Sequence, residues 1–578
     1  PLGCHHGDRL LSRQLALAEA PDSGLLRLQA MNVPGSNVAR HLRSAATDRP
    51  DGLATKNPLA VSASGEVTHE ARTFRQLDQE SDAAADYFGR SGLAAGDRVL
   101  LAVRPGHDLI VGMFALLKLG AVPVAIDPGM GWSAFLDCVR RSRPTALVGV
   151  RAATLLSRLP LAAFRSLRAR VTVGGSTWRQ ALAATSPVAR PLADVSPDTL
   201  AAILFTSGST GAPKGVLYTH GMFDAQIELV RSTYDIRPGE TDMAMLPLFA
   251  LFNPALGTTT VTPLLDPSRP MAADPAPLVA ALRTEKITCS FGSPAIWGKV
   301  AEHCEAKGLR LPDLRRLLIA GAPVSGELLA QLRVIAPNCA IHTPYGATEC
   351  LPVTSITADE LLGAARQSAL GGQGTCVGRP VVGVEIRVIR ETDGPIASLT
   401  DTLTCRAGEV GEIIATGPSV TSEYDGLPDA TRAAKIADGG RVWHRMGDLG
   451  AMDDSGRLFF LGRRVEKVRT RDGDLPTEAL EPAFRQHPQV FRCALIGLGE
   501  APDQTPALVV EPRVGSFPED AAERERFIAE LRDIARACPS ADRVRHIVFQ
   551  RSLPVDVRHN AKIHRLRLAK EWTRRLSR

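Results

Sequence analysis

The chain has 578 residues, 44% hydrophobic and 22% charged, and its 68 basic and 62 acidic residues leave a net charge of +6. This composition excludes wholesale disorder, and the length implies several domains or subdomains at roughly 100–200 residues each. Ten scattered cysteines without a C-x-x-C pair exclude a disulfide framework or a zinc knuckle and fit a reduced cytosol.

Residues 73–128 read as an α/β unit. Thr73 with Gln76 forms a capping-box pattern, and "FRQLDQESDAAADYFGRSG" then keeps helical apolar spacing up to Gly89 and Gly92. "DRVLLAV" reads as a strand, "LIVGMFALLKLG" as a helix and "VPVAI" as another strand. The run 109–126 is the most membrane-like stretch, but Lys118 and the Gly120 and Pro123 breakers split it into a buried helix and a buried strand. No signal peptide is visible, so a soluble, cytoplasmic protein is expected, with no integral membrane span and no nucleic-acid partner. The rhythm continues with strands at 146–150 and 201–206, a helix from His220, and a strand at 287–291. A helix at 294–306, a strand at 316–321 and a helix at 325–335 follow. Helices alternating with short continuous apolar runs predict a mostly parallel, doubly wound sheet covered on both faces.

After about residue 375 the texture becomes β-rich with Gly and Asp turns, as in a barrel-like or antiparallel subdomain over about 375–464. Residues 358–376 and 391–410 read as surface insertions. The main boundary is placed at Arg464/Val465, giving a large N-terminal domain, 1–464, and a small α+β domain, 465–578. The small domain holds strands "CALIGL" and "PALVVEP", a helix across 519–537 and a basic end that reads as a solvated helix face.

The stretch "LFTSGSTGAPKGVLYTH" (204–220) reads as a strand, a loop and then a helix. Its glycines let backbone N–H groups crowd an anion, and Thr206, Ser207, Ser209 and Thr210 add hydroxyls. Lys214 adds a point charge, but Gly215 follows it, so this is not a Walker A loop. On this stretch alone, a phosphate cradle and an ordinary polar loop stand equal.

"TSGSTGAPKG" resembles the signature of adenylate-forming enzymes, which include acyl-CoA synthetases, luciferases and peptide-synthetase adenylation domains. The family's other signatures follow in order: "IAGAPVS" (319–325), "PYGATE" (344–349), "HRMGDLG" (444–450), "GRR" (462–464) and "PVDVRHNAKI" (554–563). The resemblance covers about residues 40–570. It implies an ATP- and Mg²⁺-dependent ligase that passes through an acyl-AMP, with a mobile C-terminal lid. Phosphates would then meet the loop Thr206–Gly211, including Gly208, together with Lys214 and Thr348. Adenine would meet Gly321, Ala322, Pro323, Tyr345 and Gly346. Asp448, with Arg463 nearby, would take the ribose hydroxyls. Glu349 and Thr210 would hold Mg²⁺, a hard cation suited to carboxylate and phosphate oxygens. Lys562 would bridge the carboxylate and the α-phosphate as charge develops.

The chain departs from the common pattern in ways that bear on the second step. "LPLFALFNPALG" (246–257) puts Ala250 where many relatives carry histidine, among Phe249, Leu251 and Phe252. Those four and Gly346 are the candidate acyl pocket, with plain core packing an equal reading. Val465 follows the hinge "GRR", and "EKVRTRDGDLPTEALEP" (466–482) replaces the pattern whose glycine admits pantetheine in CoA ligases. Met446 and Ala561 are further departures. These features resemble the β-lactone synthetase subfamily of bacterial olefin biosynthesis. That resemblance implies a long-chain 2-alkyl-3-hydroxy acid as substrate, lactone closure by its own hydroxyl, and a β-lactone decarboxylase as pathway partner. An acyl-CoA or carrier-protein ligase is the alternative expectation, and a non-catalytic assembly component a third.

Overall fold

The computed structural model describes residues 36–61, 67–206, 212–246, 249–266, 269, 272–556 and 562–576. β1 (Leu53–Val61) and β2 (Val67–Thr73) form an antiparallel hairpin at one sheet edge. Thr73 then caps the helix Phe74–Arg90 with the expected capping box: its side chain accepts from Gln76 N–H, and Gln76 returns the bond to the Thr73 N–H.

A six-stranded sheet follows, built from β3 (Arg98–Ala102), β4 (Val122–Ile126), β5 (Ala146–Val150), β6 (Ala169–Val173), β7 (Leu200–Thr206) and β8 (Lys214–Thr219). Its order is β6-β5-β3-β4-β7-β8, parallel except for β8, which runs antiparallel to β7. The expected helix between β3 and β4 spans His107–Leu119 and is buried on every side, and Gly120 ends it at φ +75°. A Cβ on Gly120 would lie 2.9 Å from Ala193 Cβ, so close packing as well as the left-handed turn calls for glycine.

β9 (Thr241–Asp242), β10 (Thr259–Val261), β11 (Cys289–Gly292), β12 (Arg316–Ile319) and β13 (Ala340–Ala347) form a second parallel array in the order β10-β9-β11-β12-β13. The helices His220–Tyr234, Pro294–Ala306 and Gly326–Ile335 match the predicted ones closely. Thr219, Ser293 and Ser325 cap them with side-chain hydroxyls.

β14 (Cys350–Thr357), β15 (Thr375–Pro380), β16 (Glu385–Ile389), β17 (Gly411–Thr416), β18 (Lys435–Asp438), β19 (Arg441–Met452) and β20 (Leu458–Arg463) continue the same sheet antiparallel beyond β13. The β-rich region is therefore open and antiparallel rather than a closed barrel, because β15 joins it to β14. Of the two expected insertions, residues 358–376 hold the short helices Ala358–Leu362 and Ala364–Leu370. The stretch after them packs against the C-terminal region, since a Cβ on Gly372 would meet Cys538 Sγ at 3.3 Å.

After residue 464 come β21 (Val468–Thr470), β22 (Gly473–Leu475), β23 (Val490–Leu498), β24 (Thr505–Pro512) and β25 (His546–Phe549). Two hydrophobic clusters draw only on residues from Val468 to Trp572. The basic end forms the helix Arg565–Leu576, which packs on this unit through Leu568 and Trp572 and is more than a solvated face.

Candidate active site

The parallel strands β9–β13 set the site, because loops leaving their carboxyl ends open on one edge of the sheet. Gly321–Pro323 follow β12, and Tyr345 and Gly346 lie near the end of the neighbouring β13. Thr348 and Glu349 are the two turn residues of the β13–β14 hairpin, closed by the pairing of Ala347 with Cys350. Gly346 has no room for a side chain: a Cβ would meet Cys350 O and Leu351 Cδ1 at 2.8 Å.

The loop that follows Thr206 is closed by the register pair Thr206–Lys214. Lys214 therefore begins a strand, where the sequence reading put it in the loop ahead of a helix, and the helix starts only at His220. β-branched and aromatic residues in "KGVLYT" favour extension, and Gly215 packs where a Cβ would lie 2.9 Å from Phe205 Cζ. Ser207, Gly208, Ser209, Thr210 and Gly211 lie outside the described residues.

Lys214 and Glu349 share one neighbour. The Lys214 ammonium sits 4.8 Å from the Tyr424 ring centroid, and Tyr424 Oη donates to Glu349 Oε1 at 2.7 Å. Tyr218 Oη donates to the Thr348 carbonyl. Burial pushes both tyrosine hydroxyls well above their ordinary range, so both remain donors. Neither tyrosine was singled out from sequence, because neither stands in a recognisable pattern.

Asp448, 4% exposed, lies on β19 opposite Arg463 on β20. Arg463 Nη1 is 3.0 Å from Asp448 Oδ1, and Tyr345 Oη donates to Asp448 Oδ2 at 2.6 Å. Burial raises the Asp448 carboxyl, while Arg463, Tyr345 and Lys562 oppose the rise. Lys562, distant in sequence, thus exerts its charge on the same carboxylate. Asp556 Oδ1 accepts from Lys562 N–H at 2.9 Å. Asp448 Oδ1 accepts no hydrogen bond among the described residues. A buried acceptor of this kind suits the hydroxyl donors of a ribose.

No group of three or more His, Cys, Asp or Glu among the described residues makes a metal site built from protein alone. The Glu349 carboxylate, sharing Tyr424 with the Lys214 cation, would instead fit Mg²⁺, which takes one or two carboxylates with phosphates and water.

The residues around Ala250 face two ways. Phe249 stacks on Phe291 at 3.7 Å between centroids, and Phe252 meets Phe223 edge-on at 6.2 Å. Phe249, Ala250, Leu251 and Phe252 all pack against the large N-terminal core. Ala250 also lines an apolar cavity with Leu109, Ile110, Ala244, Val261 and Leu265. Core packing is realised at all four, while the cavity, about 20 Å³, takes only Ala250 from them into its lining.

Residues 42–425 match the family described as AMP-binding enzyme. The chain belongs to that family. This AMP-binding enzyme is 42% identical over 546 residues to an olefin beta-lactone synthetase of Xanthomonas campestris pv. campestris, covering 92% of this chain and 97% of the relative. It is also 42% identical to an olefin beta-lactone synthetase of Stenotrophomonas maltophilia, covering 93% of this chain and 98% of the relative. Its fold superposes on an amide bond synthetase from Marinactinospora thermotolerans with TM-score 0.73 and 23% identity, covering 93% of this chain and all of that one. An AMP-binding enzyme of this kind uses ATP to activate an acid. No helix among the described residues is long and apolar enough to cross a membrane.

Proposed function

We propose that the protein is an ATP-dependent β-lactone synthetase acting on a long-chain 2-alkyl-3-hydroxy acid. The near-full-length likeness to two proteins named olefin beta-lactone synthetase carries this reading. In the first step a substrate carboxylate oxygen attacks the α-phosphorus of ATP, and the bond to the β-phosphate breaks to release pyrophosphate. Two anions meet in this step, so the chain must supply positive charge where they approach. Lys214 and the loop hydroxyls from Thr206 hold the departing phosphates. Glu349 and Thr210 would hold Mg²⁺, which would supply neutralisation of phosphate charge. Asp448 with Arg463 takes the ribose hydroxyls, and Gly321–Pro323 with Tyr345 face the base. Lys562, on a lid formed by residues 465–578, bridges the carboxylate and the α-phosphate.

In the second step the β-hydroxyl oxygen attacks the acyl carbon, the bond from that carbon to the phosphate oxygen breaks, and AMP leaves as the hydroxyl proton is lost. The nucleophile is already tethered to the acyl group, so its effective concentration is high without a second substrate. The alkyl portion is assigned to the apolar residues around Ala250, which pack against the N-terminal core. Free Cys138, Cys289 and Cys350 suit a reduced cytoplasm, and a β-lactone decarboxylase would consume the product.

The test is incubation with Mg-ATP and a 2-alkyl-3-hydroxy acid without CoA, beside the same acid lacking the hydroxyl, with products read by NMR. Lactone from the hydroxy acid alone is expected. A product that forms only on adding CoA overturns the reading.

A further inference from the structure

Lys435 is a buried cation that the chemistry above leaves unused. It opens β18, is 9% exposed and pairs in register with His444 on β19. No carboxylate among the described residues lies within ion-pair distance of it. Its ammonium instead donates to Thr421 O, and to Thr421 Oγ1 at 3.2 Å. A buried charge without an ion pair is costly, and an apolar side chain would fill the same slot more cheaply.

What surrounds Lys435 accounts for the charge. Thr421 N–H donates to Glu349 O at 2.9 Å, and Thr421 Oγ1 donates to the same carbonyl at 3.3 Å. Three residues on, the Tyr424 ring lies 5.9 Å from Lys435 Nζ and 4.8 Å from Lys214 Nζ, while its hydroxyl holds the Glu349 carboxylate. Tyr424 also bridges in antiparallel register to Val216 on β8, and Asp425 N–H donates to Gly215 O at 2.8 Å. Segment 421–425 is therefore tied to Glu349 on one side and to the strand carrying Lys214 on the other. Lys435 anchors its first residue.

We propose that Lys435 is a positioning residue for adenylation: through Thr421 it fixes the main chain of Glu349, and it steadies the Tyr424 ring that holds the Glu349 carboxylate opposite Lys214. The proposal rests on the reading of Glu349 as the Mg²⁺-binding carboxylate. It predicts that loss of Lys435 loosens Glu349 without removing any group that touches ATP.

The test compares wild type with Lys435→Met, Lys435→Arg and Thr421→Val. Three measurements are made: ligand-free thermal midpoint, ATP binding by calorimetry with and without Mg²⁺, and Mg²⁺ dependence of ATP–pyrophosphate exchange. For Lys435→Met the midpoint should hold or rise, because a costly buried charge is gone. ATP binding without Mg²⁺ should stay at the wild-type level, whereas the gain on adding Mg²⁺ is lost. The Mg²⁺ concentration for half-maximal exchange should rise about tenfold, the size of one charge-assisted hydrogen bond. Lys435→Arg should recover part of that shift, and Thr421→Val, which keeps the charge but breaks the relay, should reproduce it. A wild-type Mg²⁺ response in Lys435→Met overturns the proposal. So does a loss of exchange that tracks a fallen midpoint and is not reproduced by Thr421→Val. If Lys435→Met does not fold, an unchanged Mg²⁺ response in Thr421→Val overturns it alone. Wild-type protein giving no exchange with any acid sinks the adenylation reading and is distinguishable from all of these.

Discussion

His220 opens the helix after β8 with its ring buried and its Nδ1 accepting from Val38 N–H at 3.2 Å. Burial, followed by the nearby Arg40, pushes the ring down to about 4, against the opposing Asp224. A helix N-terminus disfavours positive charge in the same direction. Above pH about 6.5 both the folded and unfolded chains hold the ring neutral, and its contribution is complete. As pH falls from there toward 4, the unfolded chain takes up a proton that the folded chain refuses, so stability is lost across that window, by about 3 kcal/mol at most. His220→Asn keeps an acceptor near Nδ1 and removes the titration. Thermal midpoints at pH 7.5, 6 and 5 should fall less steeply for the variant than for wild type, and parallel slopes would exclude His220 as a source. Lys562 acts on a different link, that of charge brought to the site. Lys562→Ala should abolish ATP–pyrophosphate exchange while calorimetric ATP binding stays within about threefold, because in the proposed reaction the residue bridges groups that meet only as the reaction proceeds. Retained exchange would remove Lys562 from the chemistry.

At the scale of elements, one buried ion pair joins two strands to Arg464. Glu412 on β17 faces Arg445 on β19, with Nη2–Oε2 at 2.6 Å and side chains only 3% and 6% exposed. Arg464, next to the predicted boundary, reaches the same carboxylate at 3.2 Å. Arg445 and Arg464 also donate to the Thr392 carbonyl, so the stretch after β16 is clasped to the segment around Arg464. Glu412→Gln would leave the buried Arg445 guanidinium uncompensated, and a loss of about 3 kcal/mol is expected in thermal or denaturant unfolding. Adding Arg445→Met should recover part of it, and no recovery would mean the cost lies elsewhere. None of this clasp was legible in the sequence, where Glu412 and Arg445 are ordinary strand charges. Continuous apolar runs were legible, because burial on both faces writes itself into composition: "ALVGV" is β5 and "VPVAI" is β4. Lys118 was read as interrupting an apolar run, and the fold buries it fully against Asp78 and Asp82 on the preceding helix. The β8 strand was missed because six residues after a glycine-rich loop carry little periodicity. Lys435 and Tyr424 were missed for another reason: their meaning comes from neighbours far away in sequence.

For the whole molecule, the question is whether one arrangement of lid and body serves both steps. On the proposed reading, Lys562 meets the carboxylate and the α-phosphate in the arrangement that serves adenylation. A CoA ligase must then rearrange to admit a thiol, whereas an internal hydroxyl needs only to stay folded onto the acyl phosphate with water excluded. The contact between Gly372 and Cys538 offers a lock. A Cβ at Gly372 would lie 3.3 Å from Cys538 Sγ, close to the spacing a disulfide needs. Gly372 has φ +86°, so Gly372→Cys carries backbone strain of about 1 kcal/mol, for which Gly372→Ala is the control. Oxidised Gly372→Cys, with lid fixed to body, should still convert Mg-ATP and the hydroxy acid to lactone in a single turnover read by quenched mass spectrometry. Multiple turnover should slow, because release of AMP and product needs the site to open, and a reductant should restore it. Accumulation of acyl-AMP in the locked enzyme, with lactone appearing only on reduction, would show that closure of the ring requires the same rearrangement as thiol capture. In that case the departure of residues 466–482 from the CoA-ligase pattern would not explain the chemistry, and the hydroxyl would have to be delivered by movement of the proposed lid.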